Sequence, residues 1–193
     1  MSWKQIFVRM GFTWSLKDIW YRLDWNTPSV SSIKKYLNRN VDMVYKDKLI
    51  IPLFKGTNRD VLVMNCFKWV VDNIRYERDI DKFGVEEKWE DIDNILSTGR
   101  ADCESMSTLL YVLCRVHGVN PLQIKLVCGE VVVGNGTGGH AWVEYMSDET
   151  MEWTILDPAY DPKYTTFFDK RRPAEFDDRY VKRWFEVNDL IIS

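Results

Sequence analysis

Cys103 is the cysteine whose surroundings suit a nucleophile. It follows Asp102 and precedes Met106, Leu109, Leu110, Leu113 and Val116 at helical spacing, so it falls in the first turn of a helix that stops at Gly118, with Pro121 beyond. A helix N-terminus offers unpaired N–H groups and the positive end of a dipole, and both favour the thiolate, the reactive form of the side chain. The other three cysteines read as packing. Cys66 belongs to an apolar stripe with Val63, Phe67, Val70 and Ile74, Cys128 lies inside a β-rich run, and Cys114 is about three turns and roughly 16 Å along the axis from Cys103. A thiolate also needs a base, and the base needs a group to orient it. Of the two histidines, His117 is about four turns from Cys103, near the helix C-terminus where a cation suits the dipole, which leaves His140. Asp157 ends a neighbouring β-rich run in Ile155-Leu156-Asp157-Pro158, and antiparallel adjacency would bring it to His140.

The elements that must hold these three groups follow from periodicity. Thr57, with Asp60 three residues on, is expected to cap the helix that carries the Cys66 stripe. A short helix over Asp91 to Leu96 is ended by Ser97-Thr98-Gly99, and the Cys103 helix follows. Three β-rich runs come next, Gln123 to Val133, His140 to Met146 and Met151 to Leu156. Helices first and an antiparallel sheet afterwards make an α+β protein. The first 55 residues differ: Trp3, Ile6, Phe7 and Met10, then Leu16, Ile19, Trp20 and Leu23, mark two short amphipathic helices. The run from Tyr180 to Ile192 reads as a last strand or helix covering the sheet, with no chemistry assigned to it.

Composition narrows the function classes. A chain of 193 residues is one compact domain with at most a small appendage, and 46% hydrophobic with 14% aromatic residues excludes disorder and fibrous repeats. Lys plus Arg number 26 against 29 Asp plus Glu, interspersed, for a net charge of −3, so nucleic acid is not an expected partner. The N-terminal residues lack the apolar core of a signal peptide, since Lys4, Gln5 and Arg9 interrupt them, and no apolar run approaches a membrane span. A cytoplasmic location is expected, without membrane association and with the four cysteines reduced. The cysteines show no C-x-x-C spacing and the histidines are two, so neither a metal nor a cofactor is expected.

Two further signals are set aside. Gly134, Gly136 and Gly139 spell G-x-G-x-x-G, but the segment leads from one strand into another, and it is expected to be a mobile hairpin loop beside His140 rather than a phosphate cradle. Asp177-Asp178 and Lys170-Arg171-Arg172 read as solvated loop charges.

Three blocks taken together resemble the transglutaminase-like superfamily of papain-fold thiol enzymes: Gly99-Arg-Ala-Asp-Cys103-Glu-Ser, Gly139-His140-Ala-Trp-Val-Glu-Tyr145 and Trp153-Thr-Ile-Leu-Asp157-Pro158. They stand in the family's order, and the similarity is greatest to its small bacterial and phage members, in which glycine usually takes the place of Ala101. The resemblance implies a papain-like core with Cys103 as nucleophile, His140 as base and Asp157 as its orienting carboxylate. The resemblance spans about residues 60–160; the chain is expected to divide into an N-terminal helical extension over residues 1–55, packed on the core, and a transglutaminase-like catalytic domain over residues 56–193. The resemblance also implies an oxyanion donor upstream of the cysteine, for which Trp89 is the candidate. The expected activity is hydrolysis of a peptide or carboxamide bond in a protein or peptide substrate through an acyl-enzyme. The alternatives are acyl transfer to an amine and a noncatalytic module of the same fold; the oligomeric state stays open.

Overall fold

The computed structural model describes residues 30–46, 51–85, 88–160 and 177–190. The helices expected near Trp3 to Met10 and Leu16 to Leu23, and the basic run at Lys170, lie outside the described residues. The first described helix, α1 (Val30–Lys46), sends Ile33, Leu37 and Val41 into the main core. Next come α2 (Arg59–Asn73), β1 (Arg75–Tyr76), α3 (Asp79–Phe83), α4 (Ile92–Thr98), β2 (Arg100–Ala101) and α5 (Cys103–Val116). Strands β3 (Ile124–Val133), β4 (Gly136–Met146), β5 (Trp153–Leu156) and β6 (Tyr180–Val187) are the remaining elements among the described residues, a short 3-10 turn at Pro121–Gln123 preceding them.

Helix α5 is the hub. Its Leu109, Leu110, Tyr111, Val112, Leu113 and Cys114 are fully buried, each large side chain contributing roughly 1.5–3 kcal/mol by leaving water. Helices α1, α2 and α4 pack around it on one side and the sheet on the other. The sheet has the order β5-β4-β3-β6, antiparallel throughout. Strand alternation gives it two apolar faces. Ile124, Leu126, Val143, Tyr145, Leu156 and Val187 join the helices in the main core, while Val127, Val131, Trp142 and Tyr180 form a smaller cluster with Ile155 and Tyr160.

Three local expectations are corrected. The cap of α2 is Asn58, whose side chain accepts the Val61 N–H at 2.8 Å, not Thr57. Asp60 instead turns to the β4–β5 connection, accepting from the hydroxyls of Tyr145 and Ser147 at 2.8 Å each and from the backbone N–H groups of Asp148 and Glu149. Burial alone would raise this carboxyl, but the four donors outweigh it and hold it below the usual carboxylate range. The Gly134 to Gly139 segment is not a loop. Gly136 to Gly139 pair in register with Val133 to Glu130, and the turn narrows to Gly134 and Asn135, with Gly134 at φ 57, which glycine adopts without strain. No helix follows it, so the glycines make no phosphate cradle. Asp177, finally, is buried and accepts from the backbone and guanidinium of Arg179, which makes it a structural anchor at the head of β6 rather than a solvated loop charge.

Candidate active site

Cys103 occupies the first position of α5, and Asp102 is the N-cap, its carboxylate accepting the Ser105 N–H at 3.3 Å. The approach to this helix is held from below. Parallel pairing of β2 with β1 sets Ala101 beside Tyr76, and the Glu77 N–H donates to the Ala101 carbonyl at 2.9 Å. Ala101 lies buried in this short strand. Lys82, almost wholly buried, donates to both carboxylate oxygens of Glu90 at 2.7 and 2.9 Å and to the Arg100 carbonyl at 2.6 Å. That buried ion pair ties the Trp89-Glu90 segment to the strand that delivers the cysteine.

The base side of the site is built on the sheet. His140 is on β4, and one helical turn beyond Cys103 the Ser107 hydroxyl donates to the carbonyl of the adjacent Ala141 at 3.0 Å, which seats the first turns of α5 against β4. Asp157 directly follows β5. Its Oδ2 receives His140 Nε2–H at 2.6 Å and the Tyr180 hydroxyl at 2.9 Å, and its Oδ1 receives the N–H groups of Ala159 at 3.1 Å and Tyr160 at 2.9 Å. Burial of Asp157 favours its neutral form, yet the neighbouring His140, the Tyr160 N–H and the Tyr180 hydroxyl prevail and keep it below the ordinary carboxylate range. With Nε2 engaged by a carboxylate, Nδ1 is the imidazole nitrogen left to face a thiol. The ring is stacked on Trp142 at a centroid distance of 6.2 Å and tilted against Tyr160 at 5.7 Å.

Of the expected residues, the structure joins His140 to Asp157 and places Cys103 at the head of α5, where its thiol donates to Glu104 Oε2 at 3.3 Å. Trp89 is half-buried and meets the ring of Tyr36 edge-on at 5.1 Å, and the following Glu90 N–H points at the Ser105 hydroxyl, so this segment lies along the first turn of α5. The Trp89 Nε1–H is buried and finds no acceptor among the described residues.

His117 is not a cation at a helix end. Its Nε2 accepts the Phe54 N–H at 3.1 Å, so Nδ1 carries the proton given to the Leu113 carbonyl at 2.7 Å, and the neutral ring clips the 51–56 segment to α5. Cys66 and Cys114 are fully buried, and burial, reinforced by the neighbouring Cys66 thiol, pushes the Cys114 thiol well above its normal range. Iodoacetamide near neutral pH is therefore expected to alkylate Cys103 before Cys66, Cys114 or Cys128, which peptide mapping after brief labelling would read; equal labelling at Cys66 or Cys114 would refute the special status of Cys103.

Two features escaped sequence reasoning. Tyr180, in a strand to which no chemistry was assigned, contacts the Asp157 carboxylate. Asp79, Asp102 and Glu104 are all buried, with carboxylate oxygens within 4.8 Å of one another around the base of α5. Burial, the charge and hydrogen bond of Glu104 and the charges of Cys103 and Asp79 push Asp102 well above its usual value. Cysteine and histidine spacing gives no sign of this cluster, although Asp102 and Glu104 flank the cysteine itself.

A thiol at the N-terminus of a helix that packs on an antiparallel sheet, with a histidine–carboxylate pair on that sheet, supplies the parts of a papain-like arrangement. The sequence profile of the transglutaminase-like superfamily matches residues 55–158, and the chain belongs to that superfamily. Among solved structures it is similar in fold to Legionella pneumophila LapG in its calcium-bound form, with TM-score 0.54 and 15% identity over 83% of this chain and 77% of that one. The EGTA-treated form of the same protein gives TM-score 0.53 and 17% identity over 83% and 82%. No curated protein matches the sequence. Among the described residues no helix is long and apolar enough to cross a membrane.

Proposed function

We propose that the protein is a thiol hydrolase of peptide or carboxamide bonds, with Cys103, His140 and Asp157 as its working groups and a protein or peptide as substrate. The observation that carries this reading is the His140–Asp157 contact of 2.6 Å beside the strand step on which the Cys103 helix rests. In the proposed reaction His140 Nδ1 takes the thiol proton and the sulfur attacks the carbonyl carbon. The oxyanion receives the Cys103 backbone N–H and the Trp89 Nε1–H, a donor without another acceptor among the described residues. Collapse expels the amine, which leaves with the proton from His140, and a thioester remains. Water, deprotonated by His140, then attacks the thioester, releasing the acid and restoring the thiol.

Transfer to an amine is the second outcome of the same thioester, and a transferase must shield that thioester from roughly 55 M water. The test is intact-mass detection of the acyl-enzyme formed from proteins or peptides of a cell lysate, followed by reaction with and without a millimolar primary amine. Free acid as the main product in both supports hydrolysis. Mostly amide product would replace it with transfer, and no adduct at Cys103 with any substrate would leave a noncatalytic module.

The acidic cluster adds a cation to this proposal. Three buried carboxylates cannot all ionise together without a counter-charge, and hard oxygen donors suit calcium, the ion named for the similar LapG structure. Asp79, Asp102 and Glu104 would hold it, and when bound it supplies the charge that lets all three ionise beside the nucleophile. Calcium at a hundredfold excess over its Kd is expected to raise the melting temperature by roughly 5–10 °C. Asp79→Asn should abolish that rise; an equal rise in the variant, or none in the parent, would remove the cation.

A further inference from the structure

We propose that Tyr180 is a positioning residue for the His140 base: its hydroxyl, together with two backbone N–H groups, fixes the Asp157 carboxylate so that Oδ2 holds the imidazole proton on Nε2. The inference rests on the reading of His140 as a base, but it comes from outside the segment that defines the family. The superfamily match ends at residue 158, whereas Tyr180 begins β6, which pairs with β3 on the far side from β5.

Among the described residues, the hydrogen-bond partners of Asp157 are all donors. Backbone N–H groups of Ala159 and Tyr160 occupy Oδ1, and Oδ2 is shared by His140 Nε2–H and the Tyr180 hydroxyl. The two backbone contacts restrain the carboxylate through one oxygen alone; the Tyr180 hydroxyl adds a restraint on the oxygen that the imidazole itself uses and narrows the direction in which Oδ2 receives the imidazole proton. Tyr180 is itself held firmly. It is buried, its ring edge packs on Trp142 at 4.9 Å and on Tyr160 at 6.0 Å, and its backbone N–H donates to the carbonyl of the anchored Asp177 at 3.1 Å. Trp142 lies between the tyrosine and the histidine, in ring contact with both, so base, carboxylate and tyrosine form one packed unit on this side of the sheet.

Two histidines in the whole chain make the test simple, because His117 serves as an internal reference in the same spectrum. In nitrogen-15 spectra of the full chain, Tyr180→Phe, which keeps the ring, is expected to move the His140 nitrogen shifts toward the Nδ1–H tautomer while those of His117 stay in place. Alkylation of Cys103 by iodoacetamide should slow about threefold to tenfold, the range that one lost hydrogen bond corresponds to. Unchanged His140 shifts with alkylation within twofold of the parent would overturn the proposal. Should the variant not fold, the parent protein decides. The His140 Nε2 proton and the Tyr180 hydroxyl proton share one oxygen and must show a mutual Overhauser contact, and its absence overturns the proposal as well. Neither measurement needs a substrate, so a response of His140 to Tyr180→Phe in a protein that forms no acyl-enzyme would uphold the tyrosine's role and sink the hydrolase reading alone.

Discussion

His140→Ala is expected to reduce the formation of acyl-enzyme by on the order of 10³-fold or more, and to slow alkylation of Cys103 in parallel. The loss has two parts. The thiol loses the group that takes its proton, and Asp157 loses the neighbour that does most to hold it ionised. The fold should survive, because the Asp157 carboxylate keeps the Tyr180 hydroxyl and two backbone N–H groups. Circular dichroism matched to the parent checks this. His117→Ala supplies the contrast: it removes the clip between Phe54 and Leu113, so it should lower the melting temperature without slowing alkylation. A His140→Ala protein that acylates within tenfold of the parent would show that another group is the base.

Asp157→Asn should cost about 10³ to 10⁴-fold in rate, more than so small a change suggests, because of what surrounds the side chain. Among the described residues, every hydrogen-bond partner of this carboxylate is a donor. An amide brings two N–H donors of its own, and backbone N–H groups cannot reverse to accept them. The amide oxygen must therefore stay on Ala159 and Tyr160 while its nitrogen faces His140. Imidazole can meet that nitrogen only as an acceptor at Nε2, which puts its proton on Nδ1, the position that has to be empty to receive the thiol proton. Single-turnover kinetics should show a slow acylation step, and nitrogen-15 spectra should show His140 in the opposite tautomer. Wild-type rates in this variant would mean that the imidazole is held by something other than Asp157.

The site was legible where chemistry and periodicity coincide. The α5 stripe and the β-rich runs announced the cysteine helix and three strands, and observed strands Ile124–Val133 and Trp153–Leu156 lie within one or two residues of expectation at their starts. The contact of His140 with Asp157 follows from the antiparallel pairing of β4 with β5, although His140 lies inside β4, which starts at Gly136, and not at its head. Helix α1 carries a readable signal, with Ile33, Leu37, Val41 and Val44 at helical spacing, weaker than the aromatic stripes that precede it. Other features had no local signature. Asn58 and Thr57 are both good caps by residue type, and the acid that makes Thr57 look like a capping box, Asp60, accepts instead from the β4–β5 connection. The contact of Tyr180 with Asp157 and the convergence of Asp79 on Asp102 arise from pairings between distant segments, which a pattern along one strand or helix cannot reveal.

The order β5-β4-β3-β6 also imposes a sequence of events on folding. Strands β3, β4 and β5 form a meander joined by short turns, so they can associate as soon as they are made. Strand β6 must return across the whole meander to reach β3, closing a long loop, and Tyr180 sits at its start. The Asp157 carboxylate thus waits for the last docking step to gain the Tyr180 hydroxyl. A nascent or nicked chain lacking β6 would carry the cysteine, histidine and aspartate and yet hold the base loosely, so full nucleophilic power would arise only in molecules whose assembly is finished.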